Sequence, residues 1–225
     1  MPGREIPLVT EEVYHIVNRG VASQPIFLNQ KDYLRGLETI FYYQNQNIPL
    51  RYSFFLRLPV EQKTELLDNL KTKRKFLVEI IALCLMPNHV HLLLKQIQEK
   101  GISIFMSNFT NSYTRYFNTK RKRVGPLFQG KFKAVRVETD EQLIHLSRYI
   151  HLNPYSSYIL KSLNELENYP YSSFPEYLDP KKSANFSKEI ILNNFQSLTS
   201  YKKFVFDQAD HQKRLQEIKH LILEE

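Results

Sequence analysis

Short apolar runs separated by turn-forming residues dominate the first half of the chain, and helical spacing dominates the second. Val13 to Val17 is apolar and β-branched and ends at Asn18-Arg19-Gly20, which reads as a strand and its turn. Asn29 predicts a helix cap, with Tyr33, Leu34, Leu37, Ile40 and Phe41 near helical spacing through about Gln46. Pro49 and Pro59 interrupt the stretch 47–75, where Glu61 to Leu70 predicts a short helix; the stretch reads as an insertion between core elements. Phe76 to Leu85 and His89 to Lys95 predict two strands, and Pro87-Asn88 between them predicts the turn of an antiparallel hairpin.

Ile102, Phe105, Met106, Phe109, Tyr113, Tyr116 and Phe117 predict a helix from Ile102 to about Arg121, stopped by Gly125-Pro126. Leu127 to Val137 predicts another strand. Thr139, with Gln142 three residues on, predicts a capped helix running to about Leu152 and cut by Pro154. The order β-α-β-β-α-β-α resembles a ferredoxin-like sandwich: an α+β fold with an antiparallel sheet and helices packed on one face. A Ser/Tyr/Pro-rich stretch from Tyr155 to Asp179 follows, then helical patterns near Lys188–Phe195 and Ser200–Leu223. The domain expectation is a core over 1–180, with the insertion 47–75, and a C-terminal helical extension over 181–225.

Composition narrows the class. The 225 residues are 42% hydrophobic, enough for a sizeable core in one domain. The single cysteine, Cys84, excludes an internal disulfide and suits a reducing cytoplasm. No apolar run approaches a membrane span, so a cytoplasmic protein without a membrane partner is expected. The net charge is +8, and its location matters more than its size. Between Tyr113 and Arg136 lie Arg115, Lys120, Arg121, Lys122, Arg123, Lys131, Lys133 and Arg136, uninterrupted by Asp or Glu; the other 23 Lys and Arg are matched by 23 Asp and Glu. Such localised charge predicts a polyanion surface, a solvated helix end being the plainer alternative. Tyr113, Tyr116, Phe117, Phe128 and Phe132 interleave with it, and aromatic faces stack unpaired bases while cations follow the backbone. Helical spacing assigns most of these aromatics to the core. Gln129, Lys131 and Lys133 alternate on the expected strand and are its exposed binding face.

Two motifs carry candidate chemistry. On a strand, His89 and His91 project to the same face, where two imidazoles can converge on one divalent ion. Two hydrogen-bonded histidines on the sheet are the plainer reading. On a helix, Tyr149 and Asn153 stack one turn apart. A helix-borne tyrosine beside a metal suits phosphoryl transfer, and Asn153 can offer a carbonyl oxygen as third ligand, although a residue before proline is biased out of the helix. Leu143, Leu146, Ser147 and Ile150 form the expected core stripe. His145 shares a face with Tyr149; Arg148 and His151 lie off it, Arg148 within reach of a phosphate.

Four ordered segments resemble the IS200-like single-tyrosine transposases, the HUH-type Y1 enzymes, in the branch associated with repetitive extragenic palindromes (REP). They are Tyr14-His15-Ile16-Val17-Asn18-Arg19-Gly20, Met86-Pro87-Asn88-His89-Val90-His91-Leu92-Leu93, Gly125-Pro126-Leu127-Phe128-Gln129-Gly130-Lys131-Phe132 and Arg148-Tyr149-Ile150-His151-Leu152-Asn153-Pro154. The resemblance spans about residues 10 to 178. It implies a DNA transposase that cleaves and rejoins single-stranded hairpin DNA through a 5′-phosphotyrosine at Tyr149. His89, His91 and Asn153 would hold Mg²⁺ or Mn²⁺. Arg19, Arg115, Lys120, Arg121, Lys122, Arg123, Gln129, Lys131, Lys133 and Arg148 form the expected DNA-contacting set, in a monomer or homodimer. Two departures stand out: the segment after Pro154 lacks the Arg-Ala-Gly that often follows, and the stretch 47–75 is longer than in compact members. The competing readings are a metal-dependent phosphodiesterase using activated water and a DNA-binding protein without catalysis.

Overall fold

A computed structural model describes residues 7–73, 75–179 and 185–215. Its frame is a four-stranded antiparallel sheet made of β1 (Val13–Arg19), β2 (Val78–Met86), β3 (His89–Gln96) and β4 (Lys133–Arg136), in the order β2-β3-β1-β4. The helices in chain order are α1 (Gln30–Tyr43), α2 (Tyr52–Phe55), α3 (Val60–Lys73), α4 (Gly101–Arg121), α5 (Asp140–Ser156), α6 (Phe174–Tyr177), α7 (Glu189–Leu192) and α8 (Leu198–Phe206). Among the described residues no helix is long and apolar enough to cross a membrane.

The α+β class and the antiparallel sheet are as the pattern predicts, but helices cover both faces rather than one. Val90, Leu92 and Leu94 of β3 join Ile16 of β1 in a core with Ile40 of α1 and Phe105, Phe109 and Tyr113 of α4. On the reverse face Ala82, Cys84, Met86 and Leu93 pack with Leu143 and Ile150 of α5, Tyr177 of α6 and Tyr201 of α8. The phase of β2 makes this second layer continuous. Its register against β3 slips between Ile80 and Ala82, so Ile81 and Ala82 both face α5, and Cys84 and Met86 then lie opposite His91 and His89. One extra residue in a strand does this by breaking the alternation once.

Local signals explain most element ends. The Asn29 side chain accepts from the Asp32 amide, and Thr139 accepts from the Gln142 amide, each filling an orphan donor of its helix. The Gln142 side chain closes on the Glu138 amide rather than on that of Thr139. Gly20 is required by space: a Cβ there would sit 2.3 Å from the Gln24 carbonyl oxygen. Two expectations fail. Strand structure is confined to Lys133–Arg136, not Leu127–Val137, and Leu127 and Phe128 enter the core from irregular chain bridged to Gly20. Pro154 does not cut its helix; α5 continues to Ser156, its last turns held by the Ser157 amide on the Asn153 carbonyl and the Ile159 amide on the Pro154 carbonyl.

The stretch 47–75 includes α2 and α3, beside the end of α1, with Tyr42 hydrogen-bonded to the Leu50 carbonyl. Of the expected C-terminal helices, the first is short, at Glu189–Leu192, and the second is helical over Leu198–Phe206 and 209–215 with a turn between. The predicted domain boundary at 180/181 and the helix end near Leu223 lie outside the described residues. The extension is tied to α5 by a buried chain. His151 contacts the Ser173 hydroxyl through Nε2 at 2.7 Å and the Tyr201 hydroxyl through Nδ1 at 2.8 Å, and that hydroxyl meets Ser147 Oγ at 3.2 Å. His151 is thus a core residue, and burial pushes its pKa down to about 3.

Candidate active site

Cross-strand pairing brings one polar cluster to the sheet face that looks at α5. Arg19 pairs with His89, and Val17 pairs with both His91 and Lys133. With alternate residues sharing a face, His15, Val17 and Arg19 of β1 line up with His89 and His91 of β3. His89 Nε2 lies 3.0 Å from His91 Nε2, and His15 Nε2 lies 3.0 Å from His91 Nδ1. His89 Nδ1 meets Asn88 Oδ1 at 2.6 Å.

Tyr149 meets this cluster. Its ring stands edge-on to His91, with centroids 5.6 Å apart and planes at 87°, and to His15 at 6.1 Å and 77°. Helix α5 crosses the same sheet face, and Leu143 and Ile150 anchor it, which turns the half-buried Tyr149 toward the imidazoles. The expected meeting of histidine pair and phenol is therefore present.

All three imidazoles are neutral at pH 7. Burial lowers His15 to about 4; burial, and then the Arg19 charge, lowers His89 to about 4. Burial holds His91 well below the usual range, with His89, His15 and Arg19 adding to it. Neutral rings keep a lone pair for a cation. His89 Nε2 and His91 Nε2, 3.0 Å apart, are near enough to serve one cation. His15 cannot join it, since it approaches His91 from the opposite ring nitrogen. Among the described residues no three His, Cys, Asp or Glu side chains are placed to share an ion.

Asn153 is buried, and its Nδ2 donates to the Tyr149 carbonyl at 3.0 Å. No hydrogen bond joins it to the imidazoles; its Oδ1 is the atom it could offer. It lies inside α5, one turn beyond Tyr149.

The expected DNA-contacting residues divide. Arg19, Arg115, Lys122, Gln129, Lys131 and Lys133 are exposed. Lys120 and Arg121 are turned inward onto the fully buried Asp32, at 2.8 and 2.5 Å. Burial pushes the Asp32 carboxyl up, but the bonds from Lys120, Arg121 and Tyr116 outweigh it and leave it below its ordinary value. Arg121 also covers Phe117, and Arg123 bonds Asn118 Oδ1 and the Pro126 carbonyl. Arg148 lies on Phe204 of α8 and contacts His145 Nδ1 at 2.6 Å, on the flank of α5 held by the C-terminal extension. His145 is exposed beside Glu141 and has no part in the cluster. Sequence reasoning overlooked His15 and Asn88. For His15 the signal existed: strand alternation from Arg19 puts it on the site face.

Fold and site define an α+β protein whose sheet presents paired imidazoles to a helix-borne phenol. Residues 55–153 match the family model described as "Transposase IS200 like". A REP-associated tyrosine transposase, solved bound to a REP hairpin, superposes with a TM-score of 0.55 over 84% of this chain and 93% of its own, at 13% identity. A putative transposase from Deinococcus radiodurans R1 aligns at 17% identity over 67% of this chain and 95% of its own, with a TM-score of 0.35. No curated protein matches the sequence.

Proposed function

We propose that the protein cleaves and rejoins single-stranded DNA with Tyr149 as covalent nucleophile and His89 and His91 as the protein ligands of Mg²⁺ or Mn²⁺. The observation that carries this reading is the edge-on placement of Tyr149 against His91, itself 3.0 Å from His89. Tyr149 Oη attacks the scissile phosphorus; a P–O bond to tyrosine forms, the bond to the 3′ oxygen breaks, and that oxygen leaves as a hydroxyl on taking a proton. The phenol proton passes to solvent. The product is a 5′-phosphotyrosine, and attack by a 3′-hydroxyl reverses the step without a nucleotide cofactor. A bound divalent ion polarises the phosphate and offsets the charge that builds on it.

The chain's own groups do the rest. Neutral His89 and His91 turn their Nε2 atoms toward the site, and Asn153 Oδ1 would be the third protein ligand once its helix turn adjusts. Arg19, beside His89, and Lys133, in the cross-strand row of His91, hold phosphates flanking the scissile one. Hairpin DNA is the substrate form we infer, since a neighbour of the same fold was solved with a hairpin.

The test is direct. Protein is incubated with a labelled single-stranded hairpin oligonucleotide and Mn²⁺, then denatured and resolved by size. A covalent adduct with the parent and none with Tyr149→Phe is expected. Cleavage without adduct would mean hydrolysis by activated water, and binding without cleavage a DNA-binding module; either overturns the proposal.

A further inference from the structure

We infer that His15 is a positioning residue for the histidine pair: its imidazole is the hydrogen-bond partner of His91 Nδ1 whichever nitrogen of His91 carries the proton, and it thereby lets Nε2 be left bare for the cation. This rests on His89 and His91 being the cation-binding pair. The geometry is that of a hydrogen bond and not of stacked rings. His15 and His91 have centroids 5.3 Å apart and planes within 14°, with facing nitrogens only 3.0 Å apart. Those nitrogens lie between the centroids, so the rings meet edge to edge in nearly one plane.

The hydrogens on these nitrogens require a side chain at position 15 that can both donate and accept. Asn88 Nδ2 donates to the Ser23 carbonyl at 3.1 Å, so Asn88 Oδ1 is the atom turned to His89 Nδ1. An amide oxygen only accepts, so His89 carries its proton on Nδ1 and its Nε2 is bare. That bare nitrogen faces His91 Nε2 at 3.0 Å. Without a cation, His91 must donate from Nε2, leaving its Nδ1 to accept from His15 Nε2. For His91 Nε2 to serve a cation, the proton must sit on Nδ1, and His15 Nε2 must then accept it.

His15 therefore donates in one state and accepts in the other. In passing between them His91 yields its Nε2 proton to solvent and takes one at Nδ1 from His15. His15 regains one at its own Nδ1 from solvent, so no net proton is released. Lysine or arginine at this position could only donate, and an ionised carboxylate only accept. Partners on the outer nitrogen of a ligand histidine fix its tautomer and orientation, and their loss typically weakens metal binding about 10–100-fold.

Two variants separate this role from packing. His15→Phe keeps a ring against Tyr149 but neither donates nor accepts; His15→Gln can do both. Mn²⁺ binding to the full-length, DNA-free protein is followed by the electron paramagnetic resonance signal of free Mn²⁺, with circular dichroism melts to check folding. We expect His15→Phe to bind about 10–100-fold more weakly than the parent and His15→Gln to stay within about threefold. Equal affinity of His15→Phe and the parent, or equal weakness of Phe and Gln variants that both fold, would overturn the inference. A parent that binds no Mn²⁺ would instead overturn the reading of the pair. Long-range ¹H–¹⁵N spectra of the parent need no variant. His91 should carry its proton on Nε2 without cation and on Nδ1 with saturating Mg²⁺, and a tautomer that never changes refutes the inference even if His15→Phe fails to fold.

Discussion

Replacing Asp32 with alanine asks whether the basic end of α4 belongs to the fold or to the DNA. The Asp32 carboxylate is wholly buried and accepts from Lys120 Nζ at 2.8 Å, Arg121 at 2.5 Å, the Tyr116 hydroxyl at 2.9 Å and the Leu28 amide at 3.1 Å. It thereby joins the start of α1 to the end of α4, a contact on which the first core layer depends. Removing one partner of a buried ion pair costs about 3–5 kcal/mol when the remaining charge stays buried. Here the Lys120 and Arg121 side chains keep 33% and 21% of their exposure, so water recovers part of that. About 2–4 kcal/mol is the expected loss, which at about 2–4 °C per kcal/mol for a chain of this size lowers the melting midpoint by roughly 4–16 °C.

Calorimetry or urea unfolding measures the first part; the second is the salt dependence of hairpin binding. Each Lys or Arg that neutralises a phosphate of single-stranded DNA adds about 0.7 to the slope of log K against log salt. Lys120→Ala and Arg121→Ala are expected to lower stability and leave that slope unchanged. Lys122→Ala and Lys133→Ala are expected to leave stability unchanged and lower the slope by about 0.7 each. An Arg121→Ala protein with parental stability and a slope reduced by about 0.7 would refute the argument, because Arg121 would then be bound to DNA rather than to Asp32.

Three further outcomes follow from the site and its supports. Chelation by EDTA should abolish the covalent adduct, with Mn²⁺ restoring it, while hairpin binding measured by fluorescence anisotropy persists; adduct formation in EDTA would remove the ion from the chemistry. His151, held neutral with a pKa of about 3 against 6.5 in the unfolded chain, contributes stability that is complete above pH 6.5. That stability is lost progressively as pH falls from 6.5 toward 3, because only the unfolded chain takes up the proton there; on the order of a few kcal/mol is at stake. Urea midpoints at pH 7.5 and pH 5 should differ less in a folded His151→Gln variant than in the parent. Tyr201→Phe removes one hydroxyl partner from both His151 and Ser147 and is expected to cost about 1–3 kcal/mol in thermal unfolding, whereas an unchanged midpoint would mean the extension is not held by that chain.

What the sequence reveals depends on how far each feature reaches along the chain. Asn29, Thr139 and the Pro87-Asn88 turn act within a few residues, so their elements start or turn where the pattern puts them. Lys120 and Arg121 look like free charge in a run without acids, because the acid that holds them is Asp32, at the start of another helix. His151 lies off the stripe of Leu143, Leu146, Ser147 and Ile150 yet is buried, because the C-terminal segment supplies a second layer through Tyr201. A sign of that second layer was present. Val78–Met86 carries apolar residues almost without alternation, the pattern of a strand covered on both faces. The second layer also bears on the site. His89, His91 and Arg19 need a sheet face, but Tyr149 reaches that face only because α5 lies over it, between the sheet and Tyr201 of the extension. The extension donates to the same helix through Gln212, whose Nε2 bonds the Tyr149 carbonyl at 3.1 Å. The residues that hold the phenol against the imidazoles thus lie partly in the segment that the motifs of the sequence leave out.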